Sequence, residues 1–147
     1  MTERYLASSE KHNALLERIE KQINSDNDAD IRKGVAALAS LSVHSKIGPH
    51  SWAKISEILP DNVDLDPDKP SQWARVYKAV FDVAPQVKRV AVFGGLREIT
   101  NIIEQNPQMM HPRHLLDIAA MARDNPKIPS QLAGGALHSL GYAMRFF

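Results

Sequence analysis

The sequence predicts an all-α fold: a compact bundle of six or seven helices forming one domain over residues 1–147. Two observations carry this expectation. Apolar residues recur three and four apart through most of the chain, the period that gathers them on one face of a helix. The nine prolines punctuate that pattern. Pro49, Pro60, Pro70, Pro85, Pro107, Pro112, Pro126 and Pro129 stand at the starts or ends of the periodic segments, and Pro67 lies in an acidic loop. Proline has no N–H and collides with the preceding turn, so it is tolerated at helix starts and past helix ends. At 147 residues, 44% apolar and 24% charged, the composition suits a single globular domain. A chain of this size can bury about 70% of its unfolded surface.

The elements follow in order. Leu15, Leu16, Ile19 and Ile23, with Leu6 earlier, predict a first helix from about Glu3 to Asn24. Asn27 or Asp28 caps the second, which carries Ile31, Val35, Leu38 and Leu41 and stops at Gly48-Pro49. A short third helix spans Ser51 to Leu59, with Trp52, Ile55 and Leu59 inward. Asp61 to Lys69 is an acidic loop, and the chain has a soft division at 60–70. Pro70 is placed in the first turn of a fourth helix whose Trp73, Val76, Tyr77, Val80 and Phe81 form a dense stripe. A fifth helix runs from beyond Pro85 to Gln105, with Val92, Leu96, Ile99, Ile102 and Ile103 inward. A sixth starts at His111-Pro112 with Leu115, Leu116, Ile118, Ala119 and Met121 inward, and a seventh starts at Pro129-Ser130 with Leu132, Ala136, Leu137 and Leu140.

Two stretches share the pattern A-L-x-S-L, Ala37 to Leu41 and Ala136 to Leu140, each behind a run of small residues (Gly34, Val35, Ala36 and Ala133, Gly134, Gly135). Gly95 to Ile99 is a looser third copy. Small residues let a neighbouring helix approach closely. Asp30 to Ser42 and Ser130 to Gly141 thereby resemble the inner helices of HEAT or armadillo α-solenoids. The resemblance implies a short helical array as the alternative architecture and a concave protein- or nucleic-acid-binding surface as its role.

Composition excludes several chemistries. With no cysteine there is no disulfide framework, thiolate zinc site or cysteine nucleophile. The first ten residues do not read as a signal peptide, and the longest apolar run, Val90 to Leu96, is far short of the roughly 20 residues a membrane helix needs. A cytoplasmic protein without a membrane partner is expected. Asp64 to Asp68 opens like a calcium loop, but Lys69 and Arg75 occupy the positions that require glycine and a bidentate glutamate, so a solvated acidic turn is expected. His111 and His114 lie three apart at a helix start, where His111 reads as a cap. Val87 to Gly95 is the one strand-like run. Its Gly94-Gly95 lacks the spacing of a nucleotide-binding loop, and no other segment supplies a strand partner. Residues 31–59 can be laid out as a helix-turn-helix, but the second helix offers base edges little beyond Lys54. No catalytic residue, cofactor or metal site is expected.

Charge is distributed unevenly beneath a net +1: residues 1–68 sum to −4 and residues 69–147 to +5. Arg75, Lys78, Lys88, Arg89 and Arg97 cluster in the second half, with Asp82 and Glu98 the nearby acids. Arg75 and Lys78 fall opposite the aromatic stripe. The chain closes on Phe146 and Phe147, which in water favour contact with the core or with another chain. These seven residues are the candidate partner-binding set. The leading expectation is a non-enzymatic protein-interaction module (adaptor, complex subunit or inhibitor) that binds another protein or itself as a homo-oligomer. The alternative is a nucleic-acid-binding subunit that grips phosphates through the basic patch. A small enzyme or nucleotide binder centred on Gly94-Gly95 is the third reading.

Overall fold

A computed structural model describes residues 2–44 (2–12 and 42–44 by backbone alone), 54–59, 66–86, 97, 101, 102, 105, 110–128, 130, 131, 134, 137, 138 and 141. Among the described residues the protein is all-α. Five helices are defined, α1 (Thr2–Ile23), α2 (Asp28–His44), α3 (Ile55–Ile58), α4 (Gln72–Val83) and α5 (Pro112–Asp124), and a 3-10 turn follows α4 at Ala84–Gln86. Arg97, Asn101, Ile102 and Gln105 are helical, as are Ser130, Gln131, Gly134, Leu137, His138 and Gly141. Residues 87–95, which hold the strand-like run and the Gly-Gly pair, lie outside the described residues, and so do Trp52 and most of the apolar positions expected in the fifth and seventh helices.

Local chemistry sets the helix ends. Asn24 closes α1 by returning its side-chain N–H to the Glu20 carbonyl at 3.0 Å, and the same amide reaches the Ile58 carbonyl of α3 at 3.2 Å. Asn27 caps α2, its Oδ1 accepting from Ala29 N–H at 2.8 Å, while Asp28 and Asp30 favour the positive first turn. Ser71 caps α4 by accepting from Ala74 N–H. Pro70 therefore stands just before the cap, two positions ahead of the first helical residue Gln72 and outside the first turn where the spacing places it. Pro85 sits in the 3-10 turn that ends α4. His111 caps α5 through Nδ1, which accepts from Arg113 N–H at 3.1 Å, and Pro112 takes the first helical position, as expected.

α4 is the centre of the core. Trp73, Val76, Tyr77, Val80 and Phe81 are all buried, and the Tyr77 and Phe81 rings meet edge to face with centroids 5.4 Å apart. Each such side chain contributes about 1.5–3 kcal/mol on burial. α4 packs broadly on α2 and less on α5, and α2 packs broadly on α1. Ile19 and Ile23 of α1 meet Ile31, Val35 and Leu38 of α2 in one apolar cluster. The close approach is made at Gly34: a Cβ there would lie 2.9 Å from Gln22 Cβ and 3.2 Å from the Ile23 backbone nitrogen. No described helix is long and apolar enough to cross a membrane.

Candidate functional site

Two of the segments singled out by sequence meet at the base of α4 and α5. The acidic loop folds as a turn over Asp66–Lys69, with Lys69 N–H donating to the Asp66 carbonyl at 3.3 Å and Asp68 N–H to Asp66 Oδ1 at 2.8 Å. The start of α5 docks on this turn. His114 Nε2 lies 2.8 Å from the Asp66 carbonyl and Arg113 Nη1 3.1 Å from Asp68 Oδ1. A carbonyl only accepts, so Nε2 carries the proton and donates. Among the described residues no group of three or more His, Asp or Glu is placed to hold a metal ion. The turn and the His111/His114 pair are joined through hydrogen bonds and one ion pair.

A second junction ties the first turn of α4 to the α1–α2 loop. Gln72 Nε2 donates to the carbonyls of Ile23 at 2.6 Å and Ser25 at 3.0 Å. Arg75 donates to the Asp26 carbonyl and, from Nε and Nη2, to Asp28 Oδ1 at 3.2 and 2.8 Å. The hydrogen bond from Arg75 holds the Asp28 carboxyl below its ordinary range. Burial opposes this in part, and the fields of Arg75, Lys78 and Arg32 add to the lowering.

Between these junctions α2, the turn, α4 and α5 enclose an open groove of about 560 Å³. α4 lines it with Ala74, Arg75, Lys78, Ala79 and Asp82, and α5 with Arg113, His114, Asp117, Ile118 and Met121. Each helix thus offers positions i, i+1, i+4, i+5 and i+8, one continuous face. The floor is apolar: Ile31 of α2, Ala74, Ala79 and Ile118 are all buried. The two alanines leave the space between α4 and α5. The rim carries Asp28, Arg32, Asp68, Arg75, Lys78, Asp82, Arg113 and Asp117. Arg75 is paired with Asp28, and Arg113 with Asp68. Arg32, Lys78, Asp82 and Asp117 make no ion pair among the described residues, which leaves two charges of each sign facing the groove.

Of the candidate partner-binding residues, the structure brings Arg75 and Lys78 to this groove. Arg75 has a side chain only 19% exposed, and its hydrogen bonds are directed into the chain itself, whereas Lys78 is exposed on the wall. Arg97 is helical and exposed. Lys88, Arg89, Phe146 and Phe147 lie outside the described residues. Sequence reasoning missed Arg32, Arg113, Asp82 and Asp117 as members of the site. Arg113 and Asp68 each belonged to a segment already singled out, but nothing in their spacing, 45 positions apart, joins them. Compared with protein-family models, with curated proteins and with solved structures, the chain matches none.

Proposed function

We propose that this chain is a non-enzymatic protein-interaction module, an adaptor, complex subunit or inhibitor, that docks a segment of another protein in the groove between α2, α4 and α5. One observation carries the reading: an open groove with an apolar floor and unpaired charges of both signs on its rim. That pairing of an apolar centre with a charged rim is the anatomy of a docking face. It favours a protein partner over a phosphate backbone, because Asp82 and Asp117 would repel phosphates and Arg75 and Arg113 are already engaged. The helical residues among 97–105 and 130–141 support a bundle of six or seven helices, and we place its action in the cytoplasm.

A photo-crosslinking residue at Lys78, with Leu116 as a control on the outer side of α5, tests the reading in the source cells. Crosslinks to one defined protein from position 78, lost on filling the floor with Ala79→Leu and absent from position 116, support it. Crosslinks to a second copy show a homo-oligomer docking through this face. Crosslinks to RNA or DNA that weaken steeply with salt would establish the nucleic-acid alternative instead, and no crosslink from 78 would end both.

A further inference from the structure

His114 lines the groove and is 8% exposed. Its Nε2 proton is committed to the Asp66 carbonyl. In the neutral ring, Nδ1 is therefore an acceptor, and no described group donates to it. That acceptor is left for a donor that enters the groove. Resting on the reading of the groove as a docking face, we propose that it seats a tryptophan side chain of a partner peptide, with the indole N–H donating to His114 Nδ1.

The chemistry of the groove narrows the occupant in three ways. The floor beneath the wall residues, Ile31, Ala74, Ala79 and Ile118, is apolar and buried, so a charged anchor would lose its water without gaining a counter-ion. Indole carries one donor and no acceptor, so it satisfies Nδ1 and brings no lone pair that the floor leaves unmet. Tyrosine brings such lone pairs, and phenylalanine brings no donor. The half-buried Met121 adds a polarizable sulfur at the edge of the space, a favourable neighbour for an aromatic ring. A cavity of about 560 Å³ exceeds one indole, so residues flanking the anchor also enter. Lys78 of α4 and Arg32 of α2, which both act on Asp28, and Asp82 and Asp117 on α4 and α5 then match a peptide with an acid on one side of the tryptophan and a base on the other.

Blocked tripeptides titrated into the full chain, followed by amide NMR shifts, test this. Acetyl-Glu-Trp-Lys-amide, or the reversed Lys-Trp-Glu, is expected to bind at millimolar or better concentration and to shift the amides of Ala79, His114 and Ile118. The same peptide carrying 1-methyltryptophan, which has no N–H, is expected to bind about tenfold more weakly, equivalent to about 1.4 kcal/mol. Asp117→Lys, an exposed change that leaves the floor intact, is expected to weaken the charged peptide and spare acetyl-Ala-Trp-Ala-amide. Equal affinity for the methylated peptide, or no binding by any of them, overturns the tryptophan assignment. Free indole binding as tightly as the peptides overturns the peptide as its source. A groove crosslink from Lys78 alongside failed tripeptide binding leaves the docking face standing without this anchor; loss of both removes both.

Discussion

The two A-L-x-S-L segments carry nearly the same residues and meet different surroundings. In α2, Leu38 is fully buried and Gly34 touches α1. In the segment around 136–140, the matching Leu137 is 48% exposed, and no atom of another described segment lies within 4 Å of the place a Cβ would take at Gly134 or Gly141. A leucine preceded by small residues is thus an invitation to close packing, and whether it becomes core depends on a helix being available to cover it. α2 has α1, delivered by a loop of four residues between Ile23 and Asp28. The resemblance to a helical-array motif is a resemblance of residues; among the described residues, the close packing is seen at Gly34 and Leu38 and not at Gly134 and Leu137.

The largest expected break in this comparison is at the leucines. Leu38→Ala should cost about 2–5 kcal/mol in urea denaturation, and Leu137→Ala less than about 0.5 kcal/mol; equal costs would mean that the second segment is covered as well. Next are the glycines. Gly34→Val should lower stability by about 1–3 kcal/mol by forcing α1 and α2 apart, while Gly134→Ala should raise it by up to about 1 kcal/mol through helix propensity, a sign difference that thermal melting reads directly. Smaller again is the clamp that seats α2. Arg75→Met should cost about 1 kcal/mol, because Asp28 is mostly solvated. It should also raise amide exchange in the 24–30 region and make the covered segment behave more like the open one.

The smallest effect is the pH dependence of that clamp. Asp28 is held below the ordinary carboxylate range chiefly by its hydrogen bond from Arg75. Its contribution is therefore present above the unfolded carboxylate range, near pH 4, and is lost as pH falls through the lowered value. The stability gap between the native chain and Asp28→Asn should shrink between about pH 6 and pH 3. A gap that stays constant would show that Asp28 contributes as a helix-start residue rather than through its charge.

Local pattern was legible, and long-range pairing was not. All five positions of the α4 stripe are buried as their spacing implies, and His111 with Pro112 starts α5 where proline chemistry places it. Leu116 was expected inward beside Leu115 yet is 57% exposed. Adjacent residues stand about 100° apart on a helix, and Leu115, Ile118, Ala119 and Ala122 define the buried face without it. Arg75 was read as a cation for a partner because it falls opposite the stripe. Asp28, 47 positions earlier, engages it, and no periodicity joins two such distant residues. The groove was illegible for the same reason: its walls come from four separate segments, and its space comes from two alanines, residues that spacing alone assigns to any helix.

The clamp at the start of α4 also bears on which positions can vary. The Gln72 amide N–H groups donate to main-chain oxygens, those of Ile23 at the end of α1 and Ser25 in the α1–α2 loop, and Arg75 takes the Asp26 carbonyl as well as the Asp28 carboxylate. Every residue type supplies a carbonyl, so replacing Asp26, whose side chain is fully solvated, leaves those bonds in place. Replacing Gln72 removes two of them at once. Tolerance to substitution is therefore unequal across the junction: the loop can change its residues at 26 while it keeps its path, and the memory of that path is held by two side chains of a helix nearly fifty residues away.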